Sequence, residues 1–375
     1  MHFPSGLNIS ETVVIESPDH LATVLADASV TDTPVLPFGG GTCLSTGLPA
    51  DEEYRALDLT RLNGIENYIP TDMTASFLAG TPLRDVRAAL AEHGQELPVD
   101  LDPDDAGTIG GLVATGYSGA RRYGQGTLKD LLIGCEYVRG DGMIAKAGGM
   151  TVKNVSGFEI SRLLHSSWGS LAVLTRVNLK ILPRPRVDRT FIWHDAEIAA
   201  ALERQLRLLI AFPGCIALET TGSGDTWRTA IRFTGREPSI EDYQLQLTNA
   251  EGQPDAVLDA WPIQRAHGDL PYLVANNPVE RAQALALVLH AQVGVGDMAV
   301  SLPTGTVRAA LDPDEVIATE VAELATGLWM IEGGEYDWKQ NAAIWGSPRG
   351  DNAVSHAVKQ QFDPANILNR SRLFI

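Results

Sequence analysis

Glycine is concentrated in one part of this 375-residue chain: residues 39–170 hold 21 of its 36 glycines, in about a third of its length. The stretch is not of low complexity. A surplus there marks many places where the backbone needs a positive φ or must approach something closely. Beyond Pro183-Arg184-Pro185, where two prolines stop a strand and stiffen a linker, the texture changes to helices alternating with short apolar strands. The reading is α+β, with a first domain over 1–185, an antiparallel-sheet domain over 186–335 and a C-terminal segment, 336–375, that packs back on the first domain.

In the first part, a strand over 12–16 precedes Ser17-Pro18, an N-cap and first helical position, and a helix through Leu21, Val24 and Leu25. Strands are predicted at 34–38, 54–59, 74–78 and 171–181, with a helix from Thr81-Pro82 to Gly94. In the second part the pattern gives strands at 189–194, 214–220, 226–234, 271–275, 298–302, 306–311 and 328–332. Helices fall at 196–209, 239–249, 279–291 and 313–325, and a last short one at 352–361. Trp227, Thr229, Ile231 and Phe233 alternate with Arg228, Ala230 and Arg232, the pattern of a half-exposed strand. Two strand–helix–strand–strand–helix rounds fit one antiparallel sheet covered on one face by helices, with no repeat visible in the sequence.

The net charge of −18 argues against nucleic acid as a partner. No apolar run approaches the ~18 residues of a spanning helix. The start, MHFPSGLNIS, has neither the basic opening nor the apolar core of a secretory signal, so a cytoplasmic protein is expected. Cys43, Cys135 and Cys215 stand far apart and read as reduced thiols, not as a zinc, iron–sulfur or dithiol site. The eight histidines never fall within four residues of one another, and no Gly-Lys dipeptide exists to build a Walker loop. Any demanding chemistry therefore falls to a bound organic cofactor, with no metal expected.

Three glycine motifs could hold one. Leu36-Pro37-Phe38-Gly39-Gly40-Gly41-Thr42 is a strand emptying into consecutive glycines, whose N–H groups can converge on an anion without any net positive charge. Alone it reads equally as a tight turn. Gly107-Thr108-Ile109-Gly110-Gly111, continuing to Gly116, Tyr117, Ser118, Gly119, Ala120, Arg121 and Arg122, offers a hydroxyl and bare amides beside an apolar stretch. Gly148-Gly149-Met150-Thr151-Val152-Lys153-Asn154 adds a cation and an amide before Ser170-Leu171-Ala172-Val173. Singly, each has a plain reading as loop glycine or exposed charge.

Their order is the informative feature. PFGGGT, AGTPL, GTIGGLVATGYSG, VKNVSGFEISRLL and SLAVLTRVNLKILPRP, in that succession over about residues 35–186, resemble the PCMH-type FAD-binding domain of the vanillyl-alcohol oxidase superfamily. Within it the likeness is to the FAD-binding subunit of bacterial glycolate oxidase, and Phe362 to Asn369 is similar to that family's FDPxxILN segment. The resemblance implies that Pro37, Gly39, Gly40, Gly41 and Thr42 cradle the FAD pyrophosphate. Thr108, Gly110 and Gly111 would contact the pyrophosphate and ring side, with Gly116 and Ser118 nearby. Lys153, Asn154 and Val173 would complete the contacts. Some relatives attach flavin through a histidine in the first glycine loop; here that place is Gly41, with Cys43 the only nucleophile close by, so non-covalent FAD is expected. Glu159 stands where Asp is usual, and Arg370-Ser371-Arg372 replaces Pro-Gly-Arg.

The resemblance also implies oxidation of a 2-hydroxy acid such as glycolate, beside a larger FAD subunit and an iron–sulfur subunit that takes the electrons onward and supplies any membrane association. Such chemistry needs a base for the hydroxyl proton and a cation for the carboxylate. Candidates are Arg265, Arg308 and Arg349, with His267 or His356 as base, none of them within a motif and each equally readable as a surface residue. Ala266-His267-Gly268-Asp269-Leu270 only grazes the metal segment of larger relatives. Three readings stay open: a subunit of a glycolate-oxidase-like complex, a stand-alone alcohol or sugar-acid oxidoreductase, and a partner-binding scaffold with a degenerate FAD pocket.

Overall fold

The first helix begins as its sequence predicts. Ser17 caps it by accepting a hydrogen bond from the His20 amide, Pro18 occupies its first position, and Leu21, Leu25 and Ala28 are buried along one face. A computed structural model describes residues 3–4, 6–48, 52–100, 106–150, 159–259, 261, 272–292, 297–311, 328–332 and 352–372. The expected helix over 313–325 lies outside these residues.

The glycine-rich part begins β1 (Ile9–Val14), α1 (Pro18–Val30), β2 (Val35–Phe38), β3 (Tyr54–Asp58), β4 (Ile65–Ile69), β5 (Thr74–Leu78), α2 (Leu83–Ala91) and β6 (Gln95–Glu96). It continues with α3 (Ile109–Thr115), α4 (Arg122–Gln125), α5 (Leu128–Leu131), β7 (Leu132–Arg139), β8 (Ile144–Gly148), α6 (Ile160–Leu164), β9 (Ala172–Lys180) and β10 (Leu182–Pro183). β1, β3 and β2 pair in parallel, in that order, while β4, β5, β9, β7 and β8 form an antiparallel sheet. β7 and β8 go beyond the sequence expectation. β7 runs through the middle of the sheet with both faces covered, so Leu132 to Val138 lacks the alternation that marks a half-exposed strand.

The second part supplies β11 (Val187–Asp195), α7 (Ile198–Ala211), β12 (Ala217–Ser223), β13 (Thr226–Gly235), α8 (Glu237–Glu251) and β14 (Ala256–Leu258). After it come β15 (Tyr272–Asn276), α9 (Val279–Gln292), β16 (Met298–Ser301), β17 (Thr306–Ala310) and β18 (Leu328–Glu332). These strands form one antiparallel sheet in the order β14-β11-β13-β12-β16-β17-β15-β18. The two rounds are visible in that order: β11-β13-β12 is mirrored by β16-β17-β15 about the β12–β16 seam.

One face of the sheet carries Trp227, Leu273, Ala275, Val300, Val307, Ala309, Trp329 and Ile331, which pack with residues of α7 and α9 into a core. The opposite face does not meet solvent, as the alternation in β13 had suggested; it meets the glycine-rich part. There Ala217, Ala230 and Ile192 pack on Ala120. Arg232 reaches Asp100 at 3.1 Å, and Arg122 reaches Asn276 at 3.0 Å. Gly124 sits so close to β12 that a Cβ on it would lie 2.6 Å from the Ile216 Cα.

The C-terminal helix, Asn352–Phe362, returns the chain to the first part. The Lys359 ammonium is buried and donates to the carbonyls of Ser170 and Leu368 and to the Asp363 carboxylate, at 2.6, 2.9 and 2.7 Å. Asp363 in turn accepts the amides of Ile367 and Leu368, so it organises the FDPxxILN segment. That turn lays Leu368 beside Val35 of β2. Burial pulls the Lys359 pKa down, with Asp363 opposing. Asp363→Ala would strand a buried ammonium, and its removal should cost about 3 kcal/mol in urea unfolding. A loss under about 1 kcal/mol would show that the segment is not held this way.

Candidate functional site

β2 stops pairing at Phe38, whose carbonyl accepts the Leu59 amide. Among the described residues, none accepts a hydrogen bond from the backbone N–H of Gly39, Gly40, Gly41 or Thr42. The loop is pressed against the next glycine motif. A Cβ on Gly39 would meet the Thr108 hydroxyl at 2.3 Å, and one on Gly40 the Ala106 carbonyl oxygen at 1.9 Å. These amides border a cleft of about 1020 Å³, its open mouth included, lined also by Ala79, Leu83, Trp168, Val173, Asn369 and Arg372.

Pro37, Gly39, Gly40, Gly41, Thr42, Thr108, Gly110, Gly111 and Val173 all line this cleft. Gly116 and Ser118 instead line the cavity beyond it, and Lys153 and Asn154 lie outside the described residues. The second motif is not the open wall the sequence suggested but the helix α3. Thr108 caps it by accepting the Gly111 amide at 3.2 Å, and Gly116, at φ +67°, closes it. The Gly110 amide is engaged by the Ala79 carbonyl at 2.8 Å, so Gly110 offers the cleft its bare surface and not its N–H.

Sequence reasoning packed the tail on the first domain but did not name Asn369 or Arg372 as lining the cleft. Asn369 bonds the Trp168 carbonyl, and Arg372 donates to the carbonyls of Leu44 and Thr46 at 2.7 and 2.8 Å, which ties down the exit of the first glycine loop. The replaced Pro-Gly-Arg triplet therefore keeps its final arginine in use.

The cleft continues into a cavity between the two parts of the chain; Thr42, Cys43, Thr46, Thr115, Tyr117 and Trp168 line both. Arg308, from β17, projects into it from the inner face of the large sheet. It pairs with Glu332 and lies over the Tyr117 ring, 5.8 Å from its centre. Burial draws the Arg308 pKa down, but Glu332, Tyr117, Glu219 and Cys43 together hold it up. Arg122 enters from the opposite side and donates to the Asn276 side-chain oxygen and the Thr304 carbonyl, both uncharged. No carboxylate of the described residues lies within ion-pair distance of Arg122. Its pKa is lowered by burial and by Arg308. Of the other candidates, His356 is exposed on the C-terminal helix, and Arg265, His267 and Arg349 lie outside the described residues.

An adjoining compartment, sharing Tyr117, Ser118, Arg122, Tyr272, Thr306 and Arg308, adds Glu219 of β12. This half-buried carboxylate makes no hydrogen bond to the described residues. Burial first, and Asp100 second, push its pKa up to about 7 against the pull of Arg308 and Arg228. Among the described residues no cluster of three His, Cys, Asp or Glu could hold a metal ion.

Residues 10–148 match a family described as FAD binding domain. The likeness over this stretch is to an FAD-binding domain. The glycolate oxidase subunit GlcE of Escherichia coli is 39% identical over 159 residues, 42% of this chain and 44% of that protein. A D-lactate dehydrogenase of Archaeoglobus fulgidus is 32% identical over 181 residues, 47% of this chain and 40% of its own length. The match thus spans less than half of either relative. Alkyldihydroxyacetonephosphate synthase shares the fold at a TM-score of 0.66 and 16% identity, over 96% of this chain and 77% of that one. The donor set at the end of β2 fits a dinucleotide: four consecutive amides without acceptors among the described residues, with no side chain on three of them. No helix among the described residues is long and apolar enough to cross a membrane.

Two outcomes are expected. Gly40→Ala forces the glycine loop away from Ala106, costing about 3 kcal/mol, and should lower the flavin-to-protein absorbance ratio at least tenfold. Glu219→Gln should melt higher than the parent at pH 8, with the gap shrinking as pH falls and closing below about pH 4. The folded pKa of about 7 exceeds the unfolded value of ~4.3, so stability of the parent declines as pH rises between the two and is flat above. Equal melting curves at pH 8 would mean that Glu219 titrates as an exposed carboxylate.

Proposed function

We propose that this chain is an FAD-dependent oxidoreductase acting on the CH–OH group of a 2-hydroxy acid, glycolate being the first candidate. The observation that carries the reading is the continuity of the glycine-lined cleft with a cavity holding Arg308 and Arg122, the latter paired with no carboxylate among the described residues. A half-buried guanidinium with only neutral acceptors favours an anion, and the planar fork of arginine matches a carboxylate. The similarity to a glycolate oxidase subunit and a D-lactate dehydrogenase points the same way.

On this reading residues 1–185 form the FAD domain, 186–335 the cap that closes the substrate cavity, and 336–375 the segment that returns to the FAD domain. Gly39 to Thr42 hold the pyrophosphate through their amides, beside Pro37. Thr108, Gly110, Gly111 and Val173 shape the cleft around the cofactor, and Gly116, Ser118, Lys153 and Asn154 belong to its surroundings. The cofactor is held without a covalent bond, Gly41 standing where some relatives carry a histidine. Bound FAD supplies a two-electron acceptor. Arg122 and Arg308 hold the substrate carboxylate, Tyr117 and Trp168 limit water at the junction, and Asn276 with Thr304 keeps Arg122 turned inward. Electrons leave to an iron–sulfur subunit beside a larger FAD subunit, in the cytoplasm, any membrane contact coming through these partners. This chain's own cavity favours a substrate site here over one wholly in a partner.

Anaerobic titration of the purified full-length protein with glycolate and D-lactate tests this. Bleaching of the flavin bands is expected, and Arg122→Met should raise the half-saturating concentration roughly 100-fold, about 3 kcal/mol of charge-assisted hydrogen bonding. A chain that stays oxidised alone but is reduced once partners are added would move the oxidation to the partner.

A further inference from the structure

We propose that Glu219 is the base that takes the hydroxyl proton of the substrate. The inference rests on the 2-hydroxy acid reading above and gives the base role to a residue of the cavity; of the histidine candidates, His356 is exposed on the C-terminal helix and His267 lies outside the described residues. Its ground is the floor of the cavity. On the inner face of the large sheet Thr221 pairs with Ala299, Ala299 with Arg308, and Arg308 with Val274, in one row across four strands. Glu219 lies two residues before Thr221 on the same strand and so on the same face. At about 4.8 Å between strands and 6.8 Å per two residues, the Glu219 and Arg308 backbones stand roughly 12 Å apart. The residue between their strands in that row is Ala299, whose side chain leaves a gap. Two long side chains facing each other across it leave room for a molecule of a few heavy atoms. Ser301, beside Ala299, turns its hydroxyl to the Leu218 carbonyl and does not engage Glu219.

The charged and titratable groups around Glu219 come from every side of the compartment. Arg228 stands on β13, Arg308 on β17, Tyr272 on β15 and Asp297 just before β16; Arg122, Tyr117 and Asp100 come from the FAD domain. Each arginine has its own acceptor: Arg228 the Thr221 hydroxyl, Arg308 Glu332, and Arg122 Asn276 and Thr304. Asp100 is engaged by Arg232 and by the Arg121 amide. Glu219 is therefore a carboxylate held among charges but tied to none, with its pKa near neutrality. With the substrate carboxylate on Arg122 and Arg308, the substrate O–H bond breaks and its proton passes to a Glu219 oxygen. A bound FAD would accept the C2 hydrogen with its electron pair, while the electron pair of the broken O–H bond closes the C2=O double bond. The substrate loses two electrons and two protons; one proton resides on Glu219 until solvent removes it.

The test is rapid anaerobic mixing of the FAD-loaded full chain with glycolate and with D-lactate between pH 5.5 and 9, for the parent, Glu219→Gln and Glu219→Asp. The limiting rate of flavin reduction in the parent should rise with pH through a midpoint of about 7. In Glu219→Gln it should fall at least 100-fold and lose that dependence, and Glu219→Asp should recover part of it. Oxalate, which cannot be oxidised, gives a second readout: its calorimetric binding should take up protons near pH 7 in the parent and not in Glu219→Gln, with affinity changed less than fivefold. Parent-like rates and pH profile in Glu219→Gln overturn the assignment while leaving the 2-hydroxy acid reading intact. A parent that no 2-hydroxy acid reduces overturns both.

Discussion

The cleft exists because two glycine segments touch. With Gly39 against the Thr108 hydroxyl and Gly40 against the Ala106 carbonyl, a β-carbon at either place would overlap atoms already present. Holding the loop there prevents it from folding back to pair its amides, and those of Gly39 to Thr42 remain directed elsewhere. Such a cradle does not depend on net charge. The chain carries −18, but charges spread over a surface are screened beyond ~10 Å at 0.1 M salt, whereas converging N–H dipoles act at contact. An acidic protein can in this way hold a pyrophosphate while repelling a nucleic acid.

The same contact sets the order of everything above it. α3 begins at Thr108, so the cap that orients Gly39 also starts the helix whose far end, Gly116, leads into Tyr117 and Ser118 at the cavity. A helix with Gly110 and Gly111 in its first turn gives up ~1 kcal/mol per glycine. The Thr108 cap and the burial of Ile109, Leu112 and Val113 offset that, and Gly110 allows a contact with Ala79 that no other residue would fit.

What could be read in the sequence followed from local causes. Ser17-Pro18 announced a helix, the alternation of 172–180 a strand, and the bare run after Phe38 the end of a strand; each depends on neighbours in the chain. The eight-stranded sheet and its helical cover were likewise legible from alternation. The meaning of the polar face was not. Arg228, Ala230 and Arg232 alternate as residues facing water do, and period-two patterning cannot distinguish water from a polar interface with another part of the same chain. Glu219, on a predicted strand, and Arg122, at the end of a glycine motif, were hidden for the same reason, since both acquire meaning from strands or loops distant in sequence. β7 was missed on opposite grounds, being covered on both faces.

The two parts of the chain are joined by charges with different logic. Arg232 meets Asp188 and Asp100, and Arg121 meets Glu96 and Asp100, a buried network in which each cation has acids. Such a network adds little net stability, because desolvation cancels most of the attraction, yet it penalises any docking that separates a partner. Arg122, the next residue after Arg121, crosses the same interface with neutral acceptors only. Arg121 is thus satisfied within the first part, where it shares Asp100 with Arg232 of the sheet; Arg122 is positioned by that docking against neutral acceptors. Since Gly124, two residues on, is what lets this turn approach the start of β12, the placement of Arg122 and the seating of the sheet are built from one short segment. On the proposed reading, a change that loosened the seating would therefore weaken anion binding before it disturbed the glycine loop, whose contacts with Ala106 and Thr108 lie wholly within the first part.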